Sequence, residues 1–185
     1  MKRCKWVDLN SQLYINYHDN EWGIPSYDDH YLFEMLVLES FQAGLSWITI
    51  LNKREYFRES FDNFDYHLIS KYDENKINEL MNNKNIIRNR RKIEATINNS
   101  IVFINIQKEY GSFSNYIWKF TNGKIIKNLD DQIKTTSSLS DQISKDLKNK
   151  GMKFVGSIII YSYLQAIGII DDHEMDCFKY KKNTQ

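Results

Sequence analysis

Two stretches with helical periodicity are separated by nine residues, Lys148-Asn149-Lys150-Gly151-Met152-Lys153-Phe154-Val155-Gly156. Ile143 and Leu147 mark one face of the first stretch, and an apolar run follows the last glycine. Gly151 permits the left-handed backbone that ends a helix, and Gly156 lets another backbone approach the start of the next one. The sequence therefore predicts two helices joined by a tight hairpin.

This hairpin resembles a helix-hairpin-helix element, which grips DNA phosphates without reading the base sequence. The free N–H groups and the dipole of the second helix favour a phosphate, and Lys150 and Lys153 add positive charge. An ordinary corner between two helices would carry the same glycines, so the pattern alone leaves that alternative open.

The rest of the chain also shows helical periodicity. Ser26 is a predicted helix cap and Gly44 a predicted helix end. A single helix is predicted from Ser46 to about Phe61, and a long one ends at Gly111. Alternation of apolar and polar residues, which is typical of strands, is rare, so the predicted fold is all-α. We expect one domain over 1–185, with a helical body at about 26–168 and terminal segments at about 1–25 and 169–185.

The composition indicates a compact protein with a sizeable core. Of the 185 residues, 42% are hydrophobic and 14% are aromatic, which argues against disorder. No apolar run typical of a secretory signal follows the basic N-terminal residues. The most apolar stretch, residues 154–170, is too short and too polar to span a bilayer. We expect a soluble, cytoplasmic monomer.

Basic residues cluster locally although the net charge is only +1. Residues 82–110 contain six basic residues against two acidic ones, and residues 145–155 contain four against one. Such patches can bind phosphate in a near-neutral protein. The alternative is that they are solvated helix faces.

Each of the two cysteines has a histidine near it in the sequence: Cys4 with His18, and Cys177 with His173. Two thiolates and two imidazoles form a complete tetrahedral zinc set, which is typical of a structural site because no position stays open. On spacing alone, the four residues could be unrelated. A Cys4–Cys177 disulfide is a third alternative, disfavoured in the cytoplasm.

Glu39 falls on the apolar side of its predicted helix. A carboxylate there must be paired, protonated or functional. It could accept hydrogen bonds from the exocyclic amine of an adenine, while the flat rings of Tyr17, Trp22 and Trp47 could stack on the base. The alternatives are that the rings belong to the core and that Glu39 pairs with an arginine.

Five motifs follow one another along the chain: Arg3-Cys4-x-Trp6, Tyr17-His18-Asp19-Asn20-Glu21-Trp22-Gly23, Gln42-Ala43-Gly44-Leu45-Ser46-Trp47, Lys153-Phe154-Val155-Gly156 and His173-x-x-x-Cys177. In combination they resemble the bacterial 3-methyladenine DNA glycosylase I family. The resemblance runs from about Met1 to about Cys177, and the combination is far more specific than any single motif.

The resemblance implies an all-α helix-hairpin-helix fold and hydrolysis of the N-glycosidic bond of 3-methyladenine in alkylated double-stranded DNA, after the base has left the stack. It implies a structural zinc ion that joins the terminal segments through Cys4, His18, His173 and Cys177. The enzyme would be monofunctional, because no lysine occupies an obvious nucleophile position in the motifs.

The resemblance also implies roles for the pocket residues. Glu39 would contact the extruded base, Tyr17 and Trp47 would stack on it, and Trp6 and Trp22 would line the pocket. The remaining contacts would be with DNA: Gln42, Gly44 and Leu45 in the gap that the base leaves, and Gly151, Lys153 and Gly156 at the backbone.

One residue departs from the family pattern, because Phe41 stands where a polar residue is expected; this puts one local DNA contact in doubt. Two rival functions remain open at this point. A non-catalytic, zinc-containing helix-hairpin-helix module would bind DNA but release no base. A zinc hydrolase would need an open coordination position on the metal.

Overall fold

The computed structural model describes residues 1–128 and 134–180, so the end of the predicted C-terminal segment, 181–185, lies outside the described residues. The described helices are α1 Gln12–Asn20, α2 Asp29–Gln42, α3 Trp47–Leu51, α4 Arg54–Ser60, α5 Tyr66–Ile69, α6 Glu74–Asn82, α7 Arg90–Tyr110, α8 Phe113–Trp118, α9 Ser138–Asn149 and α10 Ser157–Ala166. Short 3₁₀ turns cover Asp62–Phe64 and Lys119–Thr121.

The mainly helical fold is confirmed, with one exception to the all-α prediction. Two short strands, β1 Ile126–Lys127 and β2 Ile170–Asp171, pair in parallel. The N–H of Ile126 donates to the carbonyl of Ile169 at 2.8 Å, and that of Asn128 to Asp171 at 3.1 Å. Two residues are too few to produce an alternating pattern, so periodicity does not predict this ladder.

The start of α2 differs from the prediction because Asp28, not Ser26, caps it. The Asp28 carboxylate accepts from the N–H of His30 at 3.1 Å. Ser26 is committed elsewhere: its N–H donates to the Ile167 carbonyl, and its own carbonyl accepts from the indole of Trp118. These long-range hydrogen bonds hold Ser26 two residues before the cap Asp28 and three before the first residue of the helix.

The helix predicted from Ser46 to about Phe61 is two helices, α3 and α4. The break lies at Asn52 and Lys53, yet Leu51 and Phe57 are both buried on either side of it. The apolar face therefore continues across the break, and periodicity alone does not detect it.

Helix α2 is the centre of the molecule. Every residue from Leu32 to Phe41 is buried, and the helix packs against α3, α7, α8 and α10. The long helix α7 ends at Gly111, with φ +83°, as predicted. Because α2 is enclosed all round, it carries two glutamates, Glu34 and Glu39, into the interior.

The hairpin between α9 and α10 is held from outside itself. Gly151 has φ +98° and the non-glycine Phe154 has φ +55°. Four carbonyls of the hairpin accept side-chain hydrogen bonds: that of Gly151 from Asn98, of Lys153 from Asn99, of Phe154 from Ser40 and of Val155 from Ser144. Two other helices, α2 and α7, together with α9 itself, thus fix its unusual backbone.

None of the helices within residues 1–128 and 134–180 has both the length and the apolar character that a bilayer crossing requires.

Gly168, just after α10, packs directly on the chain before α2. Its φ is +76°, and a Cβ added there would lie 2.3 Å from the nitrogen of Pro25 and 2.4 Å from the carbonyl carbon of Ile24. We expect Gly168→Ala to lower the free energy of unfolding by more than the about 1–2 kcal/mol that a positive φ costs. Urea denaturation followed by circular dichroism measures this loss.

Gly123→Ala is the matched control. Gly123 has φ +73°, but a Cβ added there meets nothing within 4 Å. The excess loss at Gly168 therefore isolates the steric overlap with residues 24–25. Equal losses in the two variants would show that this packing is not required.

Candidate functional site

A cavity of about 180 Å³ lies between α1, α2, α3 and α10. It brings together all five residues that were predicted to surround a base, and Gln42 stands at its edge. The predicted five are Trp6, Tyr17, Trp22, Glu39 and Trp47. Residues far apart in the sequence thus converge because α3 and α10 pack against α2, and α1 packs against α3.

Glu39 is 4% exposed, and its Oε2 atom has no hydrogen-bond partner in the described part of the chain. Burial raises the pKa of Glu39 to about 8, because the charged carboxylate loses its contact with water. The carboxyl group is therefore protonated over most of the neutral range. An unpaired buried oxygen is costly, and it faces a cavity that a ligand can fill.

The alternative of a Glu39–arginine pair is not what the structure shows. The buried Arg54 donates from Nε to Glu34 Oε1 at 2.6 Å and from Nη1 to Glu21 Oε2 at 2.6 Å. Arg58 also binds Glu34. These bonds connect α4 to α2 and to the segment after α1, and in the described part of the chain neither arginine pairs with Glu39.

The aromatic rings form most of the pocket wall. The ring centroids of Tyr17 and Trp47 are 5.2 Å apart at an angle of 44°, and those of Trp6 and Trp22 are 4.9 Å apart at 71°. Burial raises the pKa of Tyr17, so its phenol stays neutral. The Nε1 atom of Trp47 is buried without a partner within the described residues. The cavity therefore suits a flat ligand with polar edges.

Sequence reasoning missed three residues that line the cavity: Tyr14, Ser162 and Gln165. The signal for two of them was present, since Ser162 and Gln165 are polar residues three positions apart on an otherwise apolar helix. Gln165 donates its amide Nε2 to Asp172, and this bond fixes the orientation of the amide beside the cavity.

Three of the four predicted zinc ligands lie together. One ligand atom from each of Cys4, His18 and Cys177 falls within 4.8 Å of the other two, and both cysteines are free thiols rather than a disulfide. His173 lies outside that group, although its ring centroid is 5.4 Å from that of His18. Its Nε2 atom is buried and has no partner in the described part of the structure.

Each histidine is oriented by a carboxylate. Asp19 lies 2.8 Å from Nδ1 of His18, and Asp171 lies 2.7 Å from Nδ1 of His173. Both Nε2 atoms are thereby left to bind a metal, the arrangement that supports histidine ligands in many zinc sites. Two thiols and two oriented imidazoles fit a tetrahedral zinc ion, and the unpaired buried nitrogen belongs to one of these imidazoles, that of His173.

Trp22 connects this cluster to the cavity. Its ring lies 4.7 Å from that of His173 and 4.9 Å from that of Trp6. The next residue, Gly23, has φ +74°, and an added Cβ would lie 2.6 Å from Cε1 of His173. The chain ends therefore support one wall of the cavity.

The residues that were predicted to touch DNA lie on two exposed elements. In the turn Gln42–Leu45, Gly44 has φ +84° and the Leu45 side chain is 41% exposed. In the hairpin, Lys153 is exposed, and a Cβ added at Gly156 would meet nothing within 4 Å. No neighbouring atom of the described residues would exclude a side chain at position 156. The surface at this glycine therefore has room for another molecule.

The basic patches are less available than the sequence suggested. Lys92 is buried, Arg90 pairs with Glu74 and Glu94, and Lys150 pairs with Glu109. The patch at residues 82–110 is therefore partly structural.

Comparison with known proteins relates this chain to one family. A family model described as methyladenine glycosylase matches residues 6–180. The DNA-3-methyladenine glycosylase 1 of Escherichia coli (strain K12) is 42% identical over 186 residues, which cover 99% of each chain.

Two solved structures have the same fold. A crystal structure of 3-methyladenine DNA glycosylase I has a TM-score of 0.94 at 43% identity and covers 97% of this chain and all of its own. A variant of 3-methyladenine DNA glycosylase I in complex with 3-methyladenine has a TM-score of 0.92 at 39% identity, covering 98% and 99% of the two chains.

The raised pKa of Glu39 predicts how stability varies with pH. The folded protein holds the Glu39 proton more tightly than the unfolded chain, so protonation of Glu39 stabilises the folded state. This contribution is complete below about pH 4.5 and is lost as the pH rises to about 8. We expect Glu39→Gln, which is always neutral, to unfold at a higher temperature than the wild type at pH 8–9.

The difference between the two proteins should shrink toward pH 5. It should correspond to at least about 1.4 kcal/mol at the alkaline end, which is the value of one pKa unit. Thermal melts at several pH values give the result, and a constant difference from pH 5 to 9 would contradict the buried, uncompensated carboxylate.

Proposed function

The chain belongs to the methyladenine glycosylase family, and from this premise we propose that it hydrolyses the N-glycosidic bond of 3-methyladenine in alkylated double-stranded DNA. The observation that carries the proposal is the buried Glu39 carboxyl group, which has an unpaired oxygen and lies in a cavity walled by aromatic rings. The protein is thus a base-excision repair enzyme.

The chemistry of the substrate suits this cavity. Methylation at N3 gives the adenine a positive charge, so the base leaves as a neutral molecule and needs little help from a general acid. A base must leave the double helix before it reaches the pocket, and a damaged base costs less to unpair. The electron-poor ring then stacks on Tyr17 and Trp47, while Trp6 and Trp22 line the pocket.

Glu39 selects the base in this proposal. A cationic ring in the pocket places a positive charge beside Glu39. This charge favours the ionised carboxylate and so lowers the pKa that burial had raised. The resulting carboxylate accepts a hydrogen bond from the exocyclic amine. No lysine lines the cavity among the described residues, which favours monofunctional hydrolysis over a covalent route.

The two exposed elements engage the DNA. In the helix-hairpin-helix element, Gly151, Lys153 and Gly156 approach the phosphates, and α10 begins with no side-chain cap, which leaves its first N–H groups free to bind an anion. The turn carrying Gln42, Gly44 and Leu45 enters the gap that the base leaves. We propose that the protein does this as a cytoplasmic monomer.

We also propose a structural zinc ion on Cys4, His18, His173 and Cys177. When bound, the ion would stabilise the two thiolates and link the chain ends, with no open position for substrate. A zinc hydrolase is disfavoured for that reason. A non-catalytic DNA-binding module is disfavoured because it gives no purpose to the costly burial of Glu39.

Glu39→Gln tests the proposed role of the carboxylate. We expect release of 3-methyladenine from methylated DNA, measured by mass spectrometry, to fall on the order of ten- to a hundred-fold, because a charge-assisted hydrogen bond is lost. Glu59→Gln, at an exposed position, is the control and should match the wild type. Base release at the wild-type rate by Glu39→Gln would remove Glu39 from the mechanism.

Metal analysis tests the zinc site. We expect one zinc per chain in freshly purified protein, and both zinc loss and a lower melting temperature in Cys177→Ser, since a structural zinc contributes directly to folding. His67→Asn changes an exposed histidine and should retain the metal. Folded wild-type protein without zinc would contradict the proposal.

A further inference from the structure

Lys92 is a buried cation that the proposed chemistry does not use. It is 7% exposed, and its Nζ donates to the carbonyls of Phe41 and Ala43, each at 2.8 Å. These carbonyls lie at the C-terminal end of α2, where backbone oxygens have no partner within the helix. Lys92 therefore joins α7 to the turn that follows α2.

The position of Lys92 is explained by α2 and not by its own helix. Lys92 is the third residue of α7, where the helix dipole disfavours a cation. The last turn of α2 contains no basic residue, so the ammonium group of Lys92 supplies the positive charge that a helix C-terminus favours. The carbonyl of Gln42, the last residue of α2, accepts from the N–H of Leu45 at 2.6 Å.

We propose that Lys92 is a positioning residue that fixes the turn Gln42–Leu45 for entry into DNA. The inference rests on the proposed function, in which this turn occupies the gap left by the base. Leu45 projects into solvent, and a Cβ added at Gly44 would meet nothing within 4 Å. The turn thus has little packing around it, and the hydrogen bonds from Lys92 hold it against α7.

The same helix supports the hairpin through a separate residue. Asn99 donates from Nδ2 to the carbonyl of Lys153 and accepts at Oδ1 from its N–H, both at 2.8 Å. Helix α7 therefore contacts the turn through Lys92, and it contacts the hairpin through Asn99 and its neighbour Asn98. Because Asn99 does not contact the turn, it offers a matched control for Lys92.

Lys92→Met keeps the length of the side chain and removes its charge and donors. We expect base release from methylated double-stranded DNA to fall on the order of ten- to a hundred-fold, as a displaced element near the reacting group can cause. Of the turn Gln42–Leu45, Gln42 alone lines the cavity, at its edge, so the Kd for free 3-methyladenine, measured by tryptophan fluorescence, should change much less than excision does. Lys92→Arg, which keeps the charge, should recover part of the lost activity.

A double-mutant cycle separates positioning from general support. If Lys92 acts through the turn, Lys92→Met combined with Leu45→Ala should lose less activity than the product of the two single losses. Asn99→Ala combined with Leu45→Ala should give the full product, because these residues serve different elements.

Three results would overturn the proposal. One is that Lys92→Met and Lys92→Arg both weaken binding of the free base as much as they reduce excision. The second is full additivity between Lys92→Met and Leu45→Ala. The third is a Leu45→Ala variant with wild-type excision. Failure of the proposed function is distinct, because wild-type protein would then release no 3-methyladenine from methylated DNA.

Discussion

The complete burial of α2 is the constraint on which the rest of the structure depends. It brings two carboxyl groups into the interior, and the fold treats them differently. Glu34 receives the guanidinium groups of Arg54 and Arg58 and becomes part of the scaffold. Glu39 receives no cation from the residues that the structure describes, and it faces a cavity instead. A single helix therefore supplies both the rigid centre of the protein and the unpaired group that a ligand can satisfy.

Much of this arrangement could be predicted because it follows from local rules. Helical periodicity and a terminal glycine located α7, and two glycines located the hairpin between α9 and α10. The inward direction of Glu39 followed from its place on an apolar face. Periodicity did not predict that Trp6, Tyr17 and Trp47 lie close together. The resemblance to a family predicted it, and in the structure the three rings line one cavity.

The remaining features depend on contacts between distant residues, which no local pattern encodes. Serine is a residue type that often caps helices, but the backbone of Ser26 is hydrogen-bonded to Ile167, just after α10, and to Trp118 of α8. Lys92 was counted as part of a basic surface patch, whereas it is buried against the end of α2. Gln165 was overlooked because the meaning of a polar residue on an apolar helix depends on what that helix faces.

The meeting of the chain ends has a consequence for the order of synthesis. Gly168 packs on residues 24–25, His173 packs on Gly23, and the N–H of Phe178 donates to the carbonyl of Lys2 at 2.9 Å. The wall that contains Trp22 therefore leaves the ribosome long before residues 168–178, which supply its neighbours. A nascent chain can form the helical centre early, but a finished pocket exists only after residues 168–178 have been made.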